Sequence, residues 1–196
     1  ADNGNSGSVL KGYYLLDNDI DVSSSWTFAP AWTKAFSGGF DGNGHTVSYS
    51  PTQCGIFGSV CFGTIRNTTF NDKNYEGAKT KSIIGKELYK STVENCNFVC
   101  TGTTNPSLVV ESANKGVIAY GKCVDTNFTN CLFDYSGVKV IALLCTAGGC
   151  TGNVFTNSKF ICDQYMFIAT TQTPAAEQCK TIGTGLTIEG TLVPID

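Results

Sequence analysis

The sequence predicts an all-β fold: a single-domain, right-handed parallel β-helix (a solenoid) with coils of about 27 residues. Three observations carry this expectation. Two short marks recur in step along the chain, the composition suits many short strands joined by tight turns, and helix signals are weak.

The first mark reads apolar-x-Asn-x-x-Phe. It occurs as Ile65-Arg-Asn67-Thr-Thr-Phe70, Val93-Glu-Asn95-Cys-Asn-Phe98, Phe128-Thr-Asn130-Cys-Leu-Phe133 and Phe155-Thr-Asn157-Ser-Lys-Phe160. Gly183-Thr-Gly185-Leu-Thr-Ile188 is a degenerate last copy, and the final positions of the five lie 28, 35, 27 and 28 residues apart. The second mark, two apolar residues and a small one, occurs at Ile56-Phe57-Gly58, Ile83-Ile84-Gly85, Val117-Ile118-Ala119, Val140-Ile141-Ala142 and Phe167-Ile168-Ala169.

A period near 27 residues leaves room for three strands of ~4–6 residues and three connections. One such coil cannot bury its apolar face alone, so neighbours must stack in register and line the interior with columns of Ile, Val and Phe. The asparagine of the first mark is expected at a sharp left-handed bend, where stacked copies can hydrogen-bond along the axis as a ladder. The long gap before Phe133 predicts an outward loop within Thr101–Lys115, and Pro174–Cys179 is the best place for a short helix. Residues 1–11 read as a flexible arm and 12–196 as the solenoid domain. Handedness follows the crossover rule for parallel strands.

Composition excludes several classes. The formal net charge is −3, the sequence pI is near 5.1 and Arg66 is the only arginine, so there is no basic footprint for nucleic acid. No apolar run is long enough to insert in a membrane. The chain starts at Ala1 and its only methionine is Met166, as expected either of a secreted form whose signal peptide has been removed or of a trimmed chain. The 10 cysteines, even in number and scattered, point to disulfides in an oxidising compartment. Cys96 and Cys131 hold the same place in successive coils, and stacked strands lie within the Cα range of a disulfide, which predicts a cross-coil staple. Cys54 with Cys61 and Cys145 with Cys150 could close local loops, leaving Cys100–Cys123 and Cys162–Cys179. Asn67-Thr-Thr69 and Asn127-Phe-Thr129 are N-glycosylation acceptors if the host is eukaryotic.

The first third carries a further signature: Gly12-Tyr-Tyr-Leu-Leu-Asp-Asn-Asp-Ile-Asp-Val22, Trp32, Phe36-Ser-Gly-Gly-Phe-Asp-Gly-Asn-Gly-His-Thr-Val47, Gly55-Ile-Phe-Gly58 and Gly63-Thr-Ile-Arg-Asn67. This order resembles the GLUG-type β-helical repeats of bacterial and protist surface proteins, over roughly Gly12–Phe70. The resemblance implies a right-handed parallel β-helix in an extracellular protein, and it implies no conserved reaction.

Chemical readings of the motifs fare poorly. Asp17-x-Asp19-x-Asp21 could converge on calcium, but Phe28 stands where an EF-hand needs its bidentate Glu, so turn chemistry is preferred. Asp41-Gly-Asn-Gly-His45 reads as a glycine-rich turn rather than an acid–histidine pair. A polysaccharide hydrolase needs two close carboxylates, and Asp72, Glu94, Asp125, Asp134 and Asp163 do not recur at one coil position. Threonines do not form the regular rows of an ice-binding face. Trp26 and Trp32 are possible glycan contacts. The expectation is therefore a non-enzymatic extracellular structural or adhesion protein, with no cofactor or metal, self-associating into a homo-oligomer or fibre through uncapped strand edges. A carbohydrate-binding module and a polysaccharide lyase or hydrolase are the alternatives.

Overall fold

The computed structural model describes residues 11–22, 35–49, 55–73, 82–102, 117–145, 150–169 and 183–192. They form strands and no α-helix, and every strand pairing is parallel. The first sheet stacks β1 (Tyr13–Leu15), β3 (Gly39–Asp41), β6 (Thr64–Arg66), β9 (Thr92–Glu94), β12 (Asn127–Thr129), β15 (Asn153–Thr156) and β17 (Gly183–Thr184). The second stacks β2 (Ile20–Val22), β4 (Thr46–Tyr49), β7 (Thr69–Asp72), β10 (Asn97–Cys100), β13 (Leu132–Cys145), β16 (Lys159–Ala169) and β18 (Thr187–Leu192). The third holds β5 (Ser59–Cys61), β8 (Gly85–Tyr89), β11 (Ala119–Val124) and β14 (Cys150–Thr151). The result is the parallel β-solenoid expected from the repeat, with four coils that carry all three sheets.

Alternation of side chains builds the interior. In the second sheet Ile20, Val47, Phe70, Phe98, Phe133, Phe160 and Ile188 fall in one register column, which includes the degenerate last copy of the first mark. Phe70, Phe98, Phe133 and Phe160 are fully buried, and successive rings stack face to face with centroids 5.2, 4.6 and 5.5 Å apart. In the first sheet Tyr14, Phe40, Ile65, Val93, Phe128 and Phe155 form the facing column. Rings this close add roughly 0.5–1.5 kcal/mol per pair beyond area burial.

Between β5 and β16 two corners of each coil are left-handed. Between the first and second sheets Asn67, Asn95, Asn130 and Asn157 have φ of 51°, 51°, 52° and 48°. Asn95 donates to Asn67 (3.2 Å), Asn130 to Asn95 (3.0 Å) and Asn157 to Asn130 (3.3 Å), Nδ2 to Oδ1 each time, so the expected ladder is present. Between the third and first sheets Phe62, Lys90, Asp125 and Gly152 sit at φ of 58°, 45°, 49° and 68°. This second left-handed corner was not read from the sequence.

The residue after each ladder asparagine faces inward and is small and polar. Thr68, Cys96, Cys131 and Ser158 are all buried, and each donates to the carbonyl two residues back: Arg66 (2.7 Å), Glu94 (3.3 Å), Thr129 (3.5 Å) and Thr156 (3.0 Å). Ser91 and Thr126 do the same at the other corner, toward Tyr89 (2.9 Å) and Val124 (3.1 Å).

These columns overturn the cross-coil staple. Cys96 and Cys131 are in register, but both are free thiols. In-register side chains of parallel strands leave their backbones in the same direction, so their Cβ atoms keep the ~4.8 Å strand spacing, whereas a disulfide needs about 3.8 Å. The two thiols occupy hydroxyl positions. Cys96 reaches the Ile65 carbonyl of the preceding coil at 3.8 Å and Cys131 reaches that of Val93 at 3.4 Å, as Ser158 reaches that of Phe128 at 3.2 Å.

Three other pairings fail as well. Cys61 is a free, buried thiol, which removes Cys54–Cys61. Cys100 and Cys123 are both thiols outside any disulfide and lie in different sheets, Cys100 next to Asp72 and Cys123 between Leu88 and Cys150. Cys162 is free beneath Tyr135, against the Cys162–Cys179 pairing. Cys150 is disulfide-bonded to a residue outside the described side chains; Cys54, Cys179 and the side chain of Cys145 also lie outside them. With six thiols outside any disulfide, the cysteines no longer argue for an oxidising compartment.

One register differs from the second mark. Ile84 donates to the Ile118 carbonyl, and Ile118 to that of Leu143 rather than Ile141. The copy Val140-Ile141-Ala142 is thus out of step, because β13 runs on from the second sheet with register shifts after Tyr135, next to Gly137 at φ 78°. The predicted flexible arm, the core of the predicted Thr101–Lys115 loop and the predicted helix at Pro174–Cys179 lie outside the described residues.

Candidate functional site

A polar cluster on the outer face of the first sheet spans four coils. Asp41, Arg66 and Glu94 are in register in one outward row, and Tyr13 stands in the neighbouring row. Asp41 Oδ2 accepts from the Tyr13 hydroxyl (3.0 Å) and Arg66 Nε (2.8 Å), while Oδ1 accepts from Asn67 Nδ2 (3.1 Å) and the Asn43 amide (2.9 Å). Arg66 also donates to the Tyr13 hydroxyl, lies 5.7 Å from the centre of that ring, and reaches Glu94 at 3.9 Å. Asp41 is buried. Burial pushes its carboxyl up, but the bonds from the Asn43 amide, Asn67, Tyr13 and Arg66 outweigh this and hold it at about 2. The hydrogen bonds to Asp41 and Tyr13 push Arg66 upward. Both groups therefore stay ionised through the neutral range. The cluster acts as a clamp on four coils and as the terminus of the asparagine ladder.

The other singled-out residues are placed as follows. Asp19 Oδ1 accepts from the Thr46 amide (2.8 Å) and lies 3.2 Å from His45 Nδ1, contacts that lower its carboxyl, the amide bond foremost. Asp21 pairs instead with Lys73, so Asp19 and Asp21 serve different neighbours. His45 closes the turn that starts at Asp41, its amide donating to Gly42 (2.7 Å). Asp134 accepts from the amide (3.1 Å) and hydroxyl (2.6 Å) of Ser136, and Asp163 from the Gly137 amide (2.8 Å), so this pair shapes the bulge in β13. Asp125 sits at the second left-handed corner and Glu94 beside Arg66. The outward row Thr64, Thr92, Asn127, Val154 mixes residue types. Asn127 is exposed on that row, whereas the Asn67 amide is held between Asp41 and Asn95. Trp26 and Trp32 lie outside the described residues.

The interior holds a polar column that sequence reasoning missed. Val22, Tyr49, Asp72 and Cys100 follow one another in register, with Tyr135 and Cys162 continuing the column. Asp72 and Tyr135 are fully buried. Burial first, then Asp72 and Cys100, push the Tyr49 hydroxyl well above its ordinary value. The alternation that makes Phe70 inward also makes Asp72 inward two residues later, and that was the available signal.

No protein-family model, curated protein or solved structure matches this chain.

Proposed function

We propose that this chain is a non-enzymatic structural or adhesion protein of the extracellular surface, a right-handed solenoid whose copies self-associate into a larger assembly. The observation that carries the reading is where its polar chemistry goes. The Asp41 clamp, the asparagine ladder and the buried hydroxyl–thiol columns join one coil to the next. A scaffold needs such bonds, and a catalytic site needs groups left over from them. Kinship with GLUG-type surface repeats, glycans at Asn127 or Asn67, and secretion belong to the same proposal and rest on the sequence.

Sedimentation velocity with negative-stain imaging tests it. Concentration-dependent growth into elongated particles is the expected result. A monomer at every concentration, or turnover on a polysaccharide panel that Asp-to-Asn changes abolish, would defeat the reading.

A further inference from the structure

We propose that copies join head to tail, the last coil of one seating on the first coil of the next, so that β17 continues into β1 and β18 into β2. This deepens the self-association reading above and depends on it.

The first coil is unusually apolar for a surface. Tyr14 and Ile20 head the two interior columns yet remain 36% and 41% exposed, whereas Val47, one coil in, is fully buried. β1 and β2 are also edge strands, with one side of each backbone unpaired to any described strand.

The opposite end is its counterpart. Both end coils carry one strand of the first sheet and one of the second. All pairings are parallel, so strand direction carries through a joint without reversal.

The side chains match when the register is extended across the joint. Ile20 of the next copy falls over Ile188, and Val22 over Gly190, which already packs closely on Cys162. The Tyr14 ring falls over Gly185, the residue after β17, and Tyr13 over Thr184. One contact opposes the joint: Asp21 falls in the same outward row as Glu189. Each is ion-paired within its own copy, with Lys73 and Lys159. Such a joint is heterologous and does not close, so it yields a filament rather than a dimer.

The test is sedimentation of the full chain across a broad dilution series, with a circular-dichroism melt of each variant to verify folding. Ile20→Lys, and independently Tyr14→Lys, should weaken association roughly tenfold or more, because each places a charge on an apolar joint. Leu15→Lys lies on the outward face of the same strand and should change little. Glu189→Gln should strengthen association a few-fold by removing the opposed charge.

The failures are separable. A wild-type chain that never associates overturns the self-association reading itself. Association that survives Ile20→Lys and Tyr14→Lys in folded protein, or that Leu15→Lys abolishes equally, overturns only the head-to-tail joint. Hydrogen exchange on dilute monomer gives a further check. Rapid exchange of the β1 and β2 amides that face the free edge supports the joint. Protection there would show that the chain's own segments cover the first coil, and would overturn it.

Discussion

Between β5 and β16 two corners of each coil are made of one or two residues, and the third is not. The connections between first and second sheets (67–68, 95–96, 130–131, 157–158) and between third and first (62–63, 90–91, 125–126, 152) are uniform. Those from second to third (50–58, 73–84, 101–118, 146–149) vary widely in length. The tight corners set the registers and spend their polar groups on neighbouring coils. The long corner leaves the coil length free, which is how Phe98 and Phe133 can be 35 residues apart and still stack at 4.6 Å. A repeat protein needs a fixed rung more than a fixed period.

The sharpest way to break this contrast is insertion. One alanine between Asn95 and Cys96 would turn the inward residues of β10 outward, and the expected result is loss of cooperative folding in urea. The same insertion in 103–116 should cost under ~1 kcal/mol, since lengthening a long connection is a small entropic change.

Acid probes the clamp that anchors the first tight corner. Asp41 is held at about 2, below its ordinary 3.8, so the folded state binds its proton more weakly than the unfolded state. Its stabilisation, about 2 kcal/mol, is fully present above about pH 4 and is lost as pH falls toward 2 and below. Asp41→Asn should flatten this part of the stability–pH curve measured by urea unfolding.

Next in size is the ladder. Asn95→Ala removes two side-chain bonds and forces a left-handed backbone on alanine, which should cost roughly 1–2 kcal/mol. Asn127→Ala, on an exposed strand position, should stay within about 0.5 kcal/mol. Equal losses for the two would erase the distinction between corner and strand.

The smallest expected effect concerns the thiols. Cys96→Ser should change stability by less than ~1 kcal/mol, because Ser158 makes the same bonds in the same column. Burial pushes Cys131 up to about 11 and Cys123 and Cys162 up to about 12, so a thiol reagent should label them only after unfolding.

Much of this was legible because one residue type marked one geometry. Asparagine tolerates φ near 50° and carries both a donor and an acceptor, so Asn67, Asn95, Asn130 and Asn157 announced the bend and the ladder together. The other corner hid because Phe62, Lys90, Asp125 and Gly152 share no side-chain chemistry, only a backbone conformation. Cysteine misled for a related reason. Sequence position shows that Cys96 and Cys131 are neighbours, but not that parallel strands hold their Cβ atoms at a fixed, unbridgeable separation. The Asp41 clamp was half visible: the turn at Gly42–His45 was read, but not the Tyr13 and Arg66 brought to it from adjoining coils.

The ladder also has an electrical direction. Every rung donates toward the amino-terminal coil and accepts from the carboxy-terminal one, so the amide dipoles of Asn157, Asn130, Asn95 and Asn67 add along the axis. The positive end of that array meets the one carboxylate in its path, Asp41. An acidic side chain at the start of an α-helix answers the same field, and this solenoid reaches that arrangement with side chains alone.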